Sequence, residues 1–194
     1  HENRERMPEM RAVLSRVKRL LDDGAAAPGK IDGIMGEYYA LRASDFYLRG
    51  DIGRAREHAN QSIAQIPHDH ASERAFAMLV CALTHQMEGN ATEARKVVYG
   101  AMREDVTKVS TYAARLLLTL CFLDWLEGDL AGLRQNATQL LALGREHELL
   151  ESSTFANYHL GVASYYLGDN RQTSTYLEPA IKAGRLADPN AYVH

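Results

Sequence analysis

Four similar turns divide the chain: Gly50-Asp51, Gly89-Asn90, Gly128-Asp129 and Gly168-Asp169. Their glycines stand 39, 39 and 40 residues apart. A fixed period of this length is the signature of a repeat architecture. Seven residues before each glycine sits a small residue: Ala43, Ala82, Cys121 and Gly161. Five after come Ala55, Ala94, Leu133 and Thr173, and twelve after come Ser62, Ala101, Leu140 and Ala180. Glycine ends a helix because it accepts the left-handed conformation, and the following Asp or Asn can cap the next helix. Asn90 with Glu93 also has capping-box spacing. Small residues on both sides of the turn let two antiparallel helices approach closely. One such hairpin cannot bury its apolar stripe alone, so neighbours must stack.

The apolar spacing around these turns predicts helices at about 6–22, 33–49, 51–65, 71–88, 91–104, 110–127, 130–147, 152–167 and 170–184. The whole of 1–194 is expected to form one helical array, with hairpins at 33–65, 71–104, 110–147 and 152–184. Residues 6–22 would be the second helix of a truncated hairpin, and 187–194 the start of the next one. The chain opens on His1 and a charged stretch unlike a signal peptide, so a fragment of a longer protein is expected. No stretch alternates with period two for long, so no sheet is predicted. Connections are expected at Asp22–Gly33, Pro67–His70 and Ala187–Asn190, with Asp69 as a helix cap.

The last complete unit, YHLGVASYYLGDNRQTSTYLEPAI from Tyr158, resembles a tetratricopeptide (TPR) repeat. Leu160-Gly161, Ala163, Tyr165, Gly168-Asp169 and Ala180 carry the resemblance. The chain departs from that pattern at Leu133 and Thr173, where the family prefers Ala, and at Arg42 and Cys81, where it prefers Leu. The period also exceeds the usual ~34 residues. The longer period, with the LG-x-A, YYLGD, YLEPAI and DPNAYVH runs of Tyr158–His194, is similar to the sensor arm of MalT-like, LuxR-type bacterial transcription regulators. The resemblance implies an all-α, right-handed superhelix of antiparallel hairpins. It further implies a cytoplasmic, non-catalytic segment that receives a small-molecule inducer or a regulatory protein or peptide. The alternative is a general interaction scaffold that binds a partner peptide or helix.

In TPR arrays the first helix of each hairpin lines the concave side. Three residues before each turn glycine come Tyr47, Gln86, Trp125 and Tyr165, expected to form a ladder across neighbouring repeats. The rows at six, ten and thirteen before include Phe122, Tyr158, Phe155, Arg115 and Glu37. The inner face is therefore expected to be apolar and aromatic, with isolated polar groups at Gln86, Arg115 and Glu37. Tyr47, Gln86, Arg115, Phe122, Trp125, Tyr158 and Tyr165 are the candidate binding residues. Those rows lack the Lys and Asn that clamp a peptide carboxylate in some TPR domains, which disfavours a chaperone-tail receptor.

Other motifs carry less. Gly24 to Lys30 has the spacing of a phosphate-binding loop, but Ile31 stands where a Ser or Thr would hold Mg²⁺. His68-Asp69-His70 supplies too few ligands for a closed zinc site. Cys81 and Cys121 give no disulfide framework and are expected to be inert packing residues. No catalytic constellation, metal site or cofactor is expected. The formal net charge of -3 disfavours direct nucleic-acid contact by this segment. The apolar stretch Leu116–Leu126, interrupted by Asp124, is too short to cross a membrane, which needs about 20 residues.

Overall fold

The computed structural model describes residues 2–24, 28–104 and 110–187. Every regular element among them is a helix: α1 (Glu2–Asp22), α2 (Pro28–Leu48), α3 (Ile52–Gln65), α4 (Ala71–Met87), α5 (Ala91–Ala101), α6 (Ser110–Glu127), α7 (Leu130–Glu146), α8 (Leu150–Tyr166) and α9 (Asn170–Ala187). The chain is all-α, and helices adjacent in sequence pack on each other within two compact units. The first unit, His1–Val106, holds α1–α5; the second, Thr107–His194, holds α6–α9. The expected hairpins are α2–α3 and α4–α5 in the first unit, and α6–α7 and α8–α9 in the second. The expected helix start at 187–194 and the Ala187–Asn190 connection lie almost wholly outside the described residues.

All four repeat glycines take positive φ, between 74° and 78°. At each, the residue after the glycine donates its N–H to a carbonyl five residues back, as Asp129 does to Asp124 at 2.8 Å. That bond satisfies a helix-end carbonyl and needs the left-handed residue in between. Asp51, Asp129 and Asp169 then accept the backbone N–H of Arg54, Gly132 and Gln172, capping α3, α7 and α9.

The small-residue rows lie where the helices meet. Ala43, Ala82 and Cys121 are fully buried, as are Ala55, Ala94 and Leu133 five residues after their turns. Ser62 is buried too, and its hydroxyl donates to the Gly36 carbonyl at 2.7 Å. A Cβ on Gly36 would stand 2.8 Å from the Ile66 backbone nitrogen, so this approach of α2 to the end of α3 requires glycine. In the second unit Leu133, Ala137, Leu140 and Leu141 of α7 join Ala114, Leu118 and Cys121 of α6 and Ala156, Leu160 and Ala163 of α8 in one core. Asp124 is fully buried there and accepts from Asn136 at 2.7 Å, which offsets the cost of burying a carboxylate.

Several local expectations need correction. Helix α2 begins at Pro28 rather than Gly33, so Pro28-Gly29-Lys30 is helix and not connection. Proline suits a first helical position because it lacks the N–H that would be unpaired there. Helix α5 stops at Ala101; Arg103 and Glu104 continue with bonds to Gly100 and Ala101, three residues back. Asn90 is the α5 N-cap, but its side chain makes no capping bond, and Glu93 pairs with Lys96 instead of reaching back. Asp69 caps nothing: the α4 N-cap is His70, also without a side-chain bond. Between α7 and α8, Glu148 takes a φ of 55°, a left-handed position filled without glycine.

A candidate aromatic binding surface

The candidate residues fall in different units. Tyr47 and Gln86 belong to the first; Arg115, Phe122, Trp125, Tyr158 and Tyr165 belong to the second. In the first unit Tyr47 packs on Ala43, Ala59, Val80 and Cys81, and burial raises its phenol pKa. The Oε1 of Gln86 is buried without a hydrogen-bond partner. Glu37 faces His70 at 3.6 Å and is not isolated.

The second unit brings more of them together. Phe122 of α6 meets Phe155 of α8 edge-on, with centroids 6.4 Å apart. Trp125 meets Tyr158 in the same manner at 6.3 Å. His159 lies among them, 5.1 Å from Phe122, 6.3 Å from Trp125 and 5.3 Å from Tyr158. Such edge-to-face pairs are favoured by the ring quadrupoles. Trp125 is 37% exposed and Tyr158 39%, so both rings present a face or edge to solvent. The expected Trp125–Tyr165 ladder is absent among the described ring contacts: Tyr165 is 62% exposed and meets only its neighbour Tyr166. The ladder fails because Trp125 reaches across to the α8 residues seven and six places before Tyr165. Arg115 is likewise not an isolated charge, since Glu151 lies 3.5 Å from it.

No motif or spacing singles out His159 in the sequence. It stands nine residues before its turn glycine, in a row where Val80 and Thr119 are buried but Leu41 is 43% exposed. Its Nδ1 lies 2.8 Å from the Phe155 carbonyl, which can only accept, so the proton is on Nδ1. Nε2 is then a bare acceptor, buried and without a partner. Burial lowers the pKa of the ring, against a smaller upward pull from the Phe155 carbonyl. Below the ordinary value of 6.5 the unfolded chain therefore takes up a proton that the folded chain refuses. The stability of the second unit is expected to fall as pH drops through 6.5, and His159→Leu to flatten that fall. Thermal melts followed by Trp125 emission at pH 7.5 and 5.5 check this; an unchanged pH dependence in the variant would contradict it.

Beside the aromatic cluster, α8 and α9 form a groove of about 610 Å³. Leu150, Phe155, Tyr158, Leu177 and Ile181 make it predominantly apolar. Phe155 and Tyr158 belong to both features, so the groove and the cluster are one continuous surface of the second unit.

The remaining chemistry is sparse. Cys81 and Cys121 are buried free thiols. Burial pushes their pKa values up to about 11 and about 12, which leaves almost no nucleophilic thiolate near neutral pH. Among the described residues no three His, Cys, Asp or Glu side chains gather where they could hold a metal ion. No described helix is long and apolar enough to cross a membrane. Comparison of the chain with protein-family models and with curated protein sequences returns no match. The surface itself therefore carries the functional reading.

Proposed function

We propose that this chain is a non-catalytic, TPR-type sensing segment of a LuxR-type, MalT-like bacterial transcription regulator. In this reading the second unit receives a small-molecule inducer or a regulatory protein in the cytoplasm. The carrying observation is the aromatic group of Trp125 and Tyr158, each more than a third exposed and backed by the partly buried Phe122 and Phe155, beside an apolar groove. Aromatic faces supply contact area at low entropic cost, while a few polar groups set orientation. Glu151 and Thr154 are polar residues that line the groove, and Arg115 lies 3.5 Å from Glu151. Binding alone does not switch a regulator; the ligand must favour one state of the parent protein over another.

A second reading, a scaffold that receives a partner helix, is supported by the repeat itself. Moving 40 residues back along the chain carries Leu177, Ala180, Ile181 and Gly184 of the groove onto Ala137, Leu140, Leu141 and Gly144. Those four are buried, and α8 packs over their helix. The α8–α9 groove thus repeats a face that already seats a helix in this protein.

Trp125 is the sole tryptophan, so its emission reports on this surface. A synthetic helix of the Leu150–Tyr166 sequence and a panel of small aromatic and sugar ligands would be titrated separately. Saturable change with a small ligand supports the sensor, and change with the helix alone supports the scaffold. In the sensor reading, Trp125→Ala lowers ligand response in the parent regulator by roughly tenfold, the loss of ~1.4 kcal/mol at one aromatic anchor. Unchanged emission with every probe, together with full response of that variant, would remove this surface as the binding site.

A further inference from the structure

The first unit carries a concentration of arginines that the repeat does not call for. Asp45 of α2 is fully buried, and three guanidiniums surround its carboxylate. Arg11 of α1 donates through Nε at 2.8 Å, while Arg42 and Arg49 approach only to 3.5 Å. Arg54, in the first turn of α3, pairs with Asp51. Phe46 holds this group together: the guanidinium carbons of Arg42, Arg49 and Arg54 stand 4.6, 5.6 and 4.6 Å from its ring centroid. Three cations therefore stand around one buried phenyl ring, Phe46 being 3% exposed. Cation–π attraction to the ring keeps their side chains in place.

The internal repeat shows that the fold does not need them. The positions equivalent to Arg42 are Cys81, Leu120 and Leu160; those equivalent to Arg49 are Glu88, Glu127 and Leu167. The positions equivalent to Arg54 are Glu93, Gly132 and Gln172. No later hairpin has a Lys or Arg at any of the three. A buried carboxylate wants partners, but Arg11 alone makes a full charge-assisted bond to Asp45. Arg49 Nη1 also donates to Asp45 Oδ2, but at 3.5 Å, and Arg42 stands at the same distance; both are long for such a contact, normally ~2.7–2.9 Å. The Nε of Arg42 is buried with no acceptor. Arg49 is 44% and Arg54 57% exposed, so their outer edges face solvent. Among the described residues four arginines face Asp45 and Asp51, with Glu57 acting on the neighbouring His58, so positive charge is left over among these groups.

We propose that the Arg42–Arg49–Arg54 cluster on Phe46 binds the phosphate group of a small ligand, either inorganic phosphate or a phosphate monoester. The guanidinium fork matches phosphate oxygens in a bidentate manner, and a dianion cancels the surplus charge. Bound phosphate would also act on His58, whose ring lies 5.0 Å from Phe46. Burial lowers the His58 pKa first, and Arg42 and Arg54 lower it further. A bound dianion offsets those two arginines, so the His58 pKa should rise.

The test is calorimetric titration of the whole chain at constant ionic strength with inorganic phosphate, phenyl phosphate and a poly-glutamate peptide. NMR of the His58 ring is followed in parallel. The expected result is saturable 1:1 binding of phosphate or its ester and an upward shift of the His58 pKa. Tighter inorganic phosphate binding marks the free ion as the ligand; tighter phenyl phosphate binding marks an ester. Arg49→Gln with Arg54→Gln should weaken binding at least tenfold and abolish the His58 shift, with the helical signal unchanged. Arg171→Gln, an exposed arginine of α9, should change neither. No saturable binding of either phosphate, binding of poly-glutamate alone, or equal binding by the double variant overturns the proposal.

Discussion

Leu140→Ala is expected to cost the second unit about 2–5 kcal/mol, the range for deleting a buried leucine side chain where the surroundings relax only partly. Leu140 is fully buried in α7, in one core with residues from α6 and α8. The repeat makes this site unusual. Its equivalents twelve residues after the other turns are Ser62, Ala101 and Ala180, all small. The α6–α7 hairpin therefore places a leucine where its counterparts carry a small residue. Truncation leaves a hole in a core that three helices share, which they can collapse only in part. Urea denaturation followed by Trp125 emission measures the loss, and a cost below ~1 kcal/mol would mean that the core is not packed as described.

Gly161→Leu should cost about 1–3 kcal/mol, through overpacking rather than loss. Gly161 is buried in α8, and even a Cβ added there would press on the Leu177 side chain of α9, with the Leu177 Cγ only 2.5 Å away. The effect is expected to depend on size. For Gly161→Ala the methyl meets a movable side chain, and alanine gains about 1 kcal/mol of helix propensity over glycine, so the two roughly cancel. Leucine adds three more carbons with nowhere to go. Full stability of the leucine variant in the same denaturation assay would show that α8 and α9 do not meet along this line.

Leu140 and Gly161 both stand in rows that are visible in the sequence. The turn glycines were legible because no other residue takes positive φ so cheaply, and their 39–40 spacing repeats the requirement. The buried rows were legible because helix geometry ties a position's distance from the turn to one face. The caps were less legible. Asp51, Asp129 and Asp169 cap as expected, yet Asn90 has a suitable side chain and leaves it unused. An exposed cap competes with water and with nearby ion pairs, so composition alone does not decide it. Glu148 shows the converse, a left-handed turn residue with no glycine to announce it.

The candidate site was legible only in part. Rows counted back from the glycines place Phe122, Trp125, Phe155 and Tyr158 on the helix faces where their rings meet, because a row names a helix face. They misassigned the partner of Trp125, since contacts across two helices depend on stagger and side-chain direction. The buried, half-satisfied His159 and the arginine group on Phe46 had no motif. Each is assembled from different helices or from positions that no other repeat shares.

By itself, then, the sequence determined the all-α class, the positions of the turns, the hairpin pairing and the residues that helices bury against each other. These follow from local backbone chemistry and from periodicity, which act along the chain. Tertiary structure alone decided which aromatic rings meet, that an apolar groove opens beside them, and that four arginines crowd around Asp45 and Phe46. Those are distances between separate elements, set by how helices stagger and lean, and no spacing along one strand of residues encodes them directly.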